Sequence, residues 1–229
     1  MKARVVGAFG ARGVGKTAWL MQELELEKCL AVWDYKHDPR MSNYGAGMHD
    51  LPAFIRSLRA PAFRNRYLVD RHNRAFSVED QFALFCRACF ERGCMSIFID
   101  ELPAVTMANK APGAWRECVN IGREYRTAGA KGIKWLSIFA TAQRPSECDK
   151  SFISNLDLVH TGRLSFANDA AVMAKSIGCR AEAVMALPDL HYLEKSADQA
   201  AFVAGQLSFE KKTSSRNKAL KAVPLRSKF

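Results

Sequence analysis

Eight residues near the start of the chain, Gly10-Ala11-Arg12-Gly13-Val14-Gly15-Lys16-Thr17, restrict the fold more than any other stretch. They follow an apolar run, Val5, Val6, Ala8 and Phe9, and precede a helical pattern that begins near Thr17. The spacing G-x-x-x-x-G-K-[ST] between a strand and a helix is that of a P-loop. Its glycines let successive backbone N–H groups turn inward on phosphate oxygens, and the helix N-terminus adds partial positive charge. In this reading Lys16 reaches the β- and γ-phosphates and Thr17 offers its hydroxyl to Mg²⁺. A nucleoside triphosphate is the expected ligand.

Composition sets the bounds around that motif. A length of 229 residues, 48% of them hydrophobic, suits one α/β domain with a full core. A formal charge of +11 favours a polyanionic partner. The opening Met1-Lys2-Ala3-Arg4 leads straight into the first strand, so no signal peptide is expected. The longest apolar run, Trp135 to Ala142, is too short to cross a bilayer. An intracellular protein with reduced thiols is expected. Cys86-Arg87-Ala88-Cys89 has redox or zinc spacing, yet no second ligand pair accompanies it. Phe82, Phe85, Cys86 and Cys89 also fall on one helical face, which favours a core role.

Strand and helix patterns alternate along the chain. Strands are expected at Ala3–Phe9, Cys29–Trp33, Tyr67–Val69, Met95–Ile99, Lys134–Thr141, Leu156–Leu164 and Ala201–Phe209. Helices are expected from the P-loop to Lys28, at Pro52–Leu58, from Ser77 to Arg92 with Gly93 as its stop, and from Gly113 to Ala128. Two more are expected near Cys148–Ser154 and at Asn168–Ile177. Such alternation, with strands apolar on both faces, argues for a mainly parallel sheet. Residues 1–209 form the expected domain, and 210–229 a basic tail in which, from Lys211 onward, Lys211, Lys212, Arg216, Lys218, Lys221, Arg226 and Lys228 stand against no acidic residue. A solvated tail and an arm on nucleic acid or an acidic neighbour both fit it.

Two further motifs supply chemistry. Ile97-Phe98-Ile99-Asp100-Glu101 delivers two carboxylates at a strand end, where ligands of open α/β sheets bind. Asp100 is suited to hold Mg²⁺, and Glu101 to orient and deprotonate the attacking water. At the end of another apolar strand stands Thr141-Ala142-Gln143-Arg144-Pro145-Ser146. There Gln143 can contact the γ-phosphate or its water, and Pro145 fixes the turn behind it.

The order of P-loop, Asp34-Tyr35-Lys36, Asp100-Glu101 and Ala142-Gln143-Arg144-Pro145-Ser146 resembles the FtsK–HerA superfamily of ring-forming, DNA-pumping ATPases. Asp149–Asp157 and Gly162-Arg163-Leu164 continue the likeness, which runs from Val5 to Phe209. The compact size looks most like the genome-packaging ATPases of tailless, internal-membrane phages. The resemblance implies a three-layer, RecA/FtsK-like P-loop fold of the additional-strand, catalytic-glutamate type, ATP with Mg²⁺, and a homo-oligomeric ring, usually a hexamer. It also implies an arginine finger given to a neighbouring subunit. Arg126 is the favoured residue and Arg123 the alternative, because Ala130-Lys131-Gly132 adds length before the next strand.

The expected function is an ATP-driven motor moving double-stranded DNA into a viral capsid. Its partners would be DNA and packaging-vertex proteins, and its places the host cytoplasm and the virion. Candidate DNA contacts are the loop Ala104–Trp115 with Lys110, and the cluster Arg64, Arg66, Arg71 and Arg74. A filamentous-phage assembly ATPase of the zonular-occludens-toxin type stays open as an alternative, although such proteins usually carry a transmembrane helix. So does a nucleotide-gated structural protein of a capsid vertex. A small-molecule kinase is disfavoured, since a water-activating Glu101 would hydrolyse its ATP.

Overall fold

Apolar runs become strands, and the amphipathic stretches between them become helices. The computed structural model describes residues 3–129, 132–210 and 219–224, with side chains through Ser208. In chain order the elements are β1 (Val5–Phe9), α1 (Lys16–Glu23), β2 (Cys29–Asp34), β3 (Ala46–Met48), α2 (Leu51–Ser57), β4 (Phe63–Leu68), α3 (Val78–Arg92) and β5 (Met95–Ile99). There follow α4 (Gly113–Ile121), β6 (Leu136–Ala142), α5 (Lys150–Ser154), β7 (Leu158–Thr161), α6 (Ala167–Ile177), α7 (Ala181–Met185), β8 (His191–Ser196), β9 (Val203–Glu210) and β10 (Ala219–Pro224). Short 3-10 turns occupy Pro39–Tyr44, Leu102–Ala104 and Pro145–Glu147.

The chain divides into two compact units. The first is built on Glu27–Ala140 and Glu147–Asn155, together with the chain start up to Val5. Its strands run β6-β5-β2-β4-β3, all parallel, with Leu136 opposite Met95, Trp33 opposite Ile99, and Asp34 opposite Leu68. Every residue of β5 is buried, as a strand covered on both faces requires. Trp33 is fully buried, with its ring 5.0 Å from Phe82 and 5.5 Å from both Tyr67 and Phe85. A reciprocal Ser77–Asp80 capping box starts α3, and Gly93 caps its end. That helix turns Phe82, Phe85, Cys86 and Cys89 into the core, where burial pushes both thiols well above their ordinary pKa.

The second unit holds Val6–Leu26, Thr141–Ser146 and the chain from Leu156 onward. Here β1 pairs in parallel with β7, Val6 opposite Leu158 and Phe9 opposite Thr161. Beyond β7 the pairing turns antiparallel through β8, β9 and β10. The class is the α/β, mainly parallel one that the sequence implied.

Several boundaries differ from the sequence reading, each for a physical reason. Helix α1 stops at Glu23 instead of Lys28. Glu27 is drawn into the first unit, where its carboxylate accepts from Ser96 Oγ at 2.9 Å and its carbonyl from Arg64 at 2.7 Å. Helix α4 stops at Ile121 instead of Ala128. The Gly122 carbonyl instead accepts the Leu136 N–H at 2.7 Å, and Tyr125 pairs with Lys134 in an antiparallel bridge. Strand β4 begins at Phe63, four residues before the expected Tyr67, because its polar residues find partners inside the unit. Of the basic tail, Ala219–Pro224 forms β10; Lys211, Lys212, Arg216, Lys218, Arg226 and Lys228 lie outside the described residues, as do Met1, Lys2, Ala130 and Lys131.

Candidate functional site

The P-loop lies wholly in the second unit. Gly10, Gly13 and Gly15 take φ of 141°, 87° and 93°, and Gly15 caps the N-terminus of α1. At Gly15 glycine is required twice over, since a Cβ there would also stand 2.4 Å from Leu207 Cδ1. Two strand ends brace the loop. The Gly10 N–H donates to the Ala142 carbonyl at 3.3 Å, and the Ala11 N–H to the Arg163 carbonyl at 2.7 Å. The ammonium of Lys16 is held by the carbonyls of Gly10 at 2.7 Å and Ala11 at 2.8 Å, with only 8% of the residue exposed. Thr17 follows in the first turn of α1, half-buried. A pinned cation beside a glycine-rich turn at a helix start is an arrangement suited to phosphate.

Behind Lys16 sits a histidine that the sequence reading passed over. His160 on β7 is buried, stacked 4.1 Å from Trp19 of α1, and 3.2 Å from Glu194 Oε2 on β8. Burial lowers its pKa below the ordinary 6.5; Glu194 opposes the shift and the Lys16 charge adds to it. The folded state therefore stays neutral where the unfolded state takes a proton. That contribution to stability is complete above about pH 6.5 and is lost as pH falls towards the folded value. His160→Asn should flatten the fall in melting temperature just below pH 6.5, and a fall as steep as in the wild type would contradict this.

Gln143 belongs to the same unit, one residue past the carbonyl that braces Gly10. The turn that follows it is fixed by Asp169 of α6, a residue the sequence reading gave no role. Asp169 lies 25 residues beyond Arg144, so no local pattern announces the contact.

The two carboxylates lie in the first unit. Asp100 is buried at the end of β5, and its N–H donates to the Trp33 carbonyl at 3.1 Å. Glu101 takes φ 61° and ψ 68°, a left-handed conformation costing a non-glycine residue about 1–2 kcal/mol. Strain of this kind concentrates where function demands a particular side-chain direction. The Glu101 carboxylate meets the Lys36 ammonium at 2.6 Å, so the Asp34-Tyr35-Lys36 stretch contributes its lysine here. Arg40 adds a second positive charge. It is anchored on Asp38 at 2.6 Å and close enough to Asp100 for that carboxylate to help raise its pKa. Sequence reasoning missed Arg40, which lies in a 3-10 turn within the loop-rich connection.

The candidate arginines follow α4 instead of riding on it. Arg123 donates to the Asn155 carbonyl at 2.7 Å, whereas Arg126 is exposed just past the Tyr125–Lys134 bridge. The basic cluster divides in the same way. Arg66 is buried against Asp34 at 2.7 Å and Arg64 is tied to Glu27, while Arg71 and Arg74 are exposed. Arg66 is thereby removed from the DNA candidates. In the loop after β5, two backbone hydrogen bonds close a turn from Met107 to Lys110, leaving Met107 67% exposed at its edge.

No family profile and no curated protein sequence matches this chain. Among solved structures, the genome packaging NTPase B204 from Sulfolobus turreted icosahedral virus 2, in complex with sulfate, gives a TM-score of 0.68 at 18% identity over 89% of this chain and 96% of that one. Its complex with AMPPCP gives 0.66 at 19% identity over 88% and 96%. B204, the DNA-packaging ATPase from Sulfolobus Turreted Icosahedral Virus, gives 0.62 at 17% identity over 89% and 98%. The chain shares the fold of these genome packaging NTPases.

Proposed function

We propose that this protein is an ATP-driven motor that moves double-stranded DNA into a viral capsid. The observation that carries the reading is the end-to-end likeness to a genome packaging NTPase, 89% of this chain against 96% of that one. The P-loop geometry and the strained Glu101 support it from the residues themselves. In the proposed cycle the P-loop amides and Lys16 hold the triphosphate, and Glu101 takes the proton of the attacking water. Gln143 registers the γ-phosphate, and Arg126 of one subunit stabilises transition-state charge in the next. The Thr17 hydroxyl and the Asp100 carboxylate are each a hard oxygen donor of the kind Mg²⁺ takes, and these are the residues proposed to hold it. When bound, Mg²⁺ supplies neutralisation of phosphate charge.

The deciding experiment is phosphate release from ATP with and without long duplex DNA. Strong stimulation by duplex is the expected result. Slow turnover indifferent to DNA would instead favour a nucleotide-gated structural role.

Arg71 and Arg74, exposed between β4 and α3, are proposed to contact phosphates of the duplex; the Arg71 guanidinium already lies 5.7 Å over the Tyr35 ring. Changing both to Gln should flatten the dependence of log affinity on log salt by about one for each lost phosphate contact. An unchanged slope would take this loop out of the DNA path.

A further inference from the structure

One buried carboxylate closes the turn that carries the proposed γ-phosphate sensor. Asp169 is fully buried in the first turn of α6. Its Oδ2 accepts from Arg144 Nε at 2.7 Å, and its Oδ1 from both the backbone N–H and the hydroxyl of Ser146, at 3.0 and 2.6 Å. Pro145, between these two residues, is itself buried. The Arg144 guanidinium is further confined by the Phe166 ring, 4.4 Å beneath it. Residues 144 and 146 are thus tied to one point, and the backbone leaving Gln143 has little freedom.

Charge-assisted hydrogen bonds to a buried carboxylate are roughly twice as strong as neutral ones and hold direction well. A polar side chain that must meet one phosphate oxygen gains most from such support, because an ångström of misplacement can cost about 100-fold in rate. Burying a carboxylate is unfavourable unless its oxygens are used. Here three donors use them, and all three belong to the turn after Gln143. We infer that Asp169 is the positioning residue of the Gln143 turn, acting on γ-phosphate discrimination without touching nucleotide. The inference rests on the sensor role proposed for Gln143.

Asp169→Asn turns one acceptor into a donor and sets it against Arg144 Nε, while Ser146 keeps its partner. Ser146→Ala removes a single donor and serves as the milder variant should Asp169→Asn fail to fold. Two readouts test the inference. The first is the ratio of affinities for a non-hydrolysable ATP analogue and for ADP. Wild type should favour the triphosphate, and Asp169→Asn should lose most of that preference while binding ADP within about twofold of wild type. The second is the effect of Asp169→Asn on turnover alone and in a Gln143→Ala background. It should lower turnover by about 10- to 100-fold in wild type, and by less than about twofold where Gln143 is already gone. Equal losses in both backgrounds would show that Asp169 merely holds the fold, and would overturn the inference. A wild-type chain that binds both nucleotides without preference would overturn the sensor role together with it. A wild type that discriminates, with an Asp169→Asn variant that does so equally well, would overturn this inference alone.

Discussion

Glu101→Gln is expected to lower ATP turnover by about 10²- to 10⁴-fold, the usual contribution of a general base, and to leave ATP affinity within about twofold of wild type. Glutamine has nearly the shape of glutamate, so the left-handed backbone at residue 101 and its direction survive the change. The amide cannot accept a proton at neutral pH, and the attacking water is left without its base. The substitution also removes the charge that holds Lys36 at 2.6 Å. That pair is partly solvated, with the lysine side chain 43% exposed, so its loss should cost little stability. A melting temperature close to wild type would therefore accompany the lost turnover. Phosphate release together with binding of a fluorescent ATP analogue separates the two effects, and turnover that persists would remove Glu101 from the base role.

Arg126→Ala is expected to act at least as strongly, by about 10³- to 10⁵-fold, the range for an arginine finger. Its signature is that the loss appears in trans. Arg126 is exposed beyond the Tyr125–Lys134 bridge, so truncation disturbs no buried contact and each variant subunit should still bind ATP. Mixed with Glu101→Gln subunits, which retain Arg126 but lack the base, the variant should recover part of the turnover that neither protein shows alone. Recovery requires an arginine from one subunit to meet a base in another. Turnover retained by Arg126→Ala alone would end this assignment and turn attention to Arg123, which the Asn155 carbonyl holds at 2.7 Å.

The P-loop was legible in the sequence because its chemistry is local. Eight consecutive residues carry both the glycine conformations and the cation. Strands β5 and β6 were legible for a related reason, since residues buried on both faces read as continuous apolar runs. Other features depend on distant partners. Strand β4 carries polar residues that find Asp34, Ser57 and the Glu27 carbonyl only after folding, so only its end, from Tyr67, reads as strand in the sequence. Strand β8, His-Tyr-Leu-Glu-Lys-Ser, mixes polar and apolar residues because its pairing is antiparallel and its burial uneven. The Asp169 clamp left no local trace at all. The early end of α4 did leave one, for Gly122 stands just past its last residue as a C-terminal signal. The sequence reading nonetheless carries that helix to Ala128.

The antiparallel pairing of β9 with β10 bears on how the basic tail can be studied. Tail deletion is an obvious way to ask whether these lysines and arginines bind nucleic acid. Cutting after Glu210 would also strip β10 from its partner, with Ala219 to Pro224 removed from opposite Glu210 to Gly205. The row of backbone donors and acceptors left open on β9 is a template for self-association. A truncated protein that precipitates or loses activity would then report aggregation instead of a missing DNA contact. Replacing the lysines and arginines by glutamine, with the strand left in place, keeps charge and sheet integrity apart.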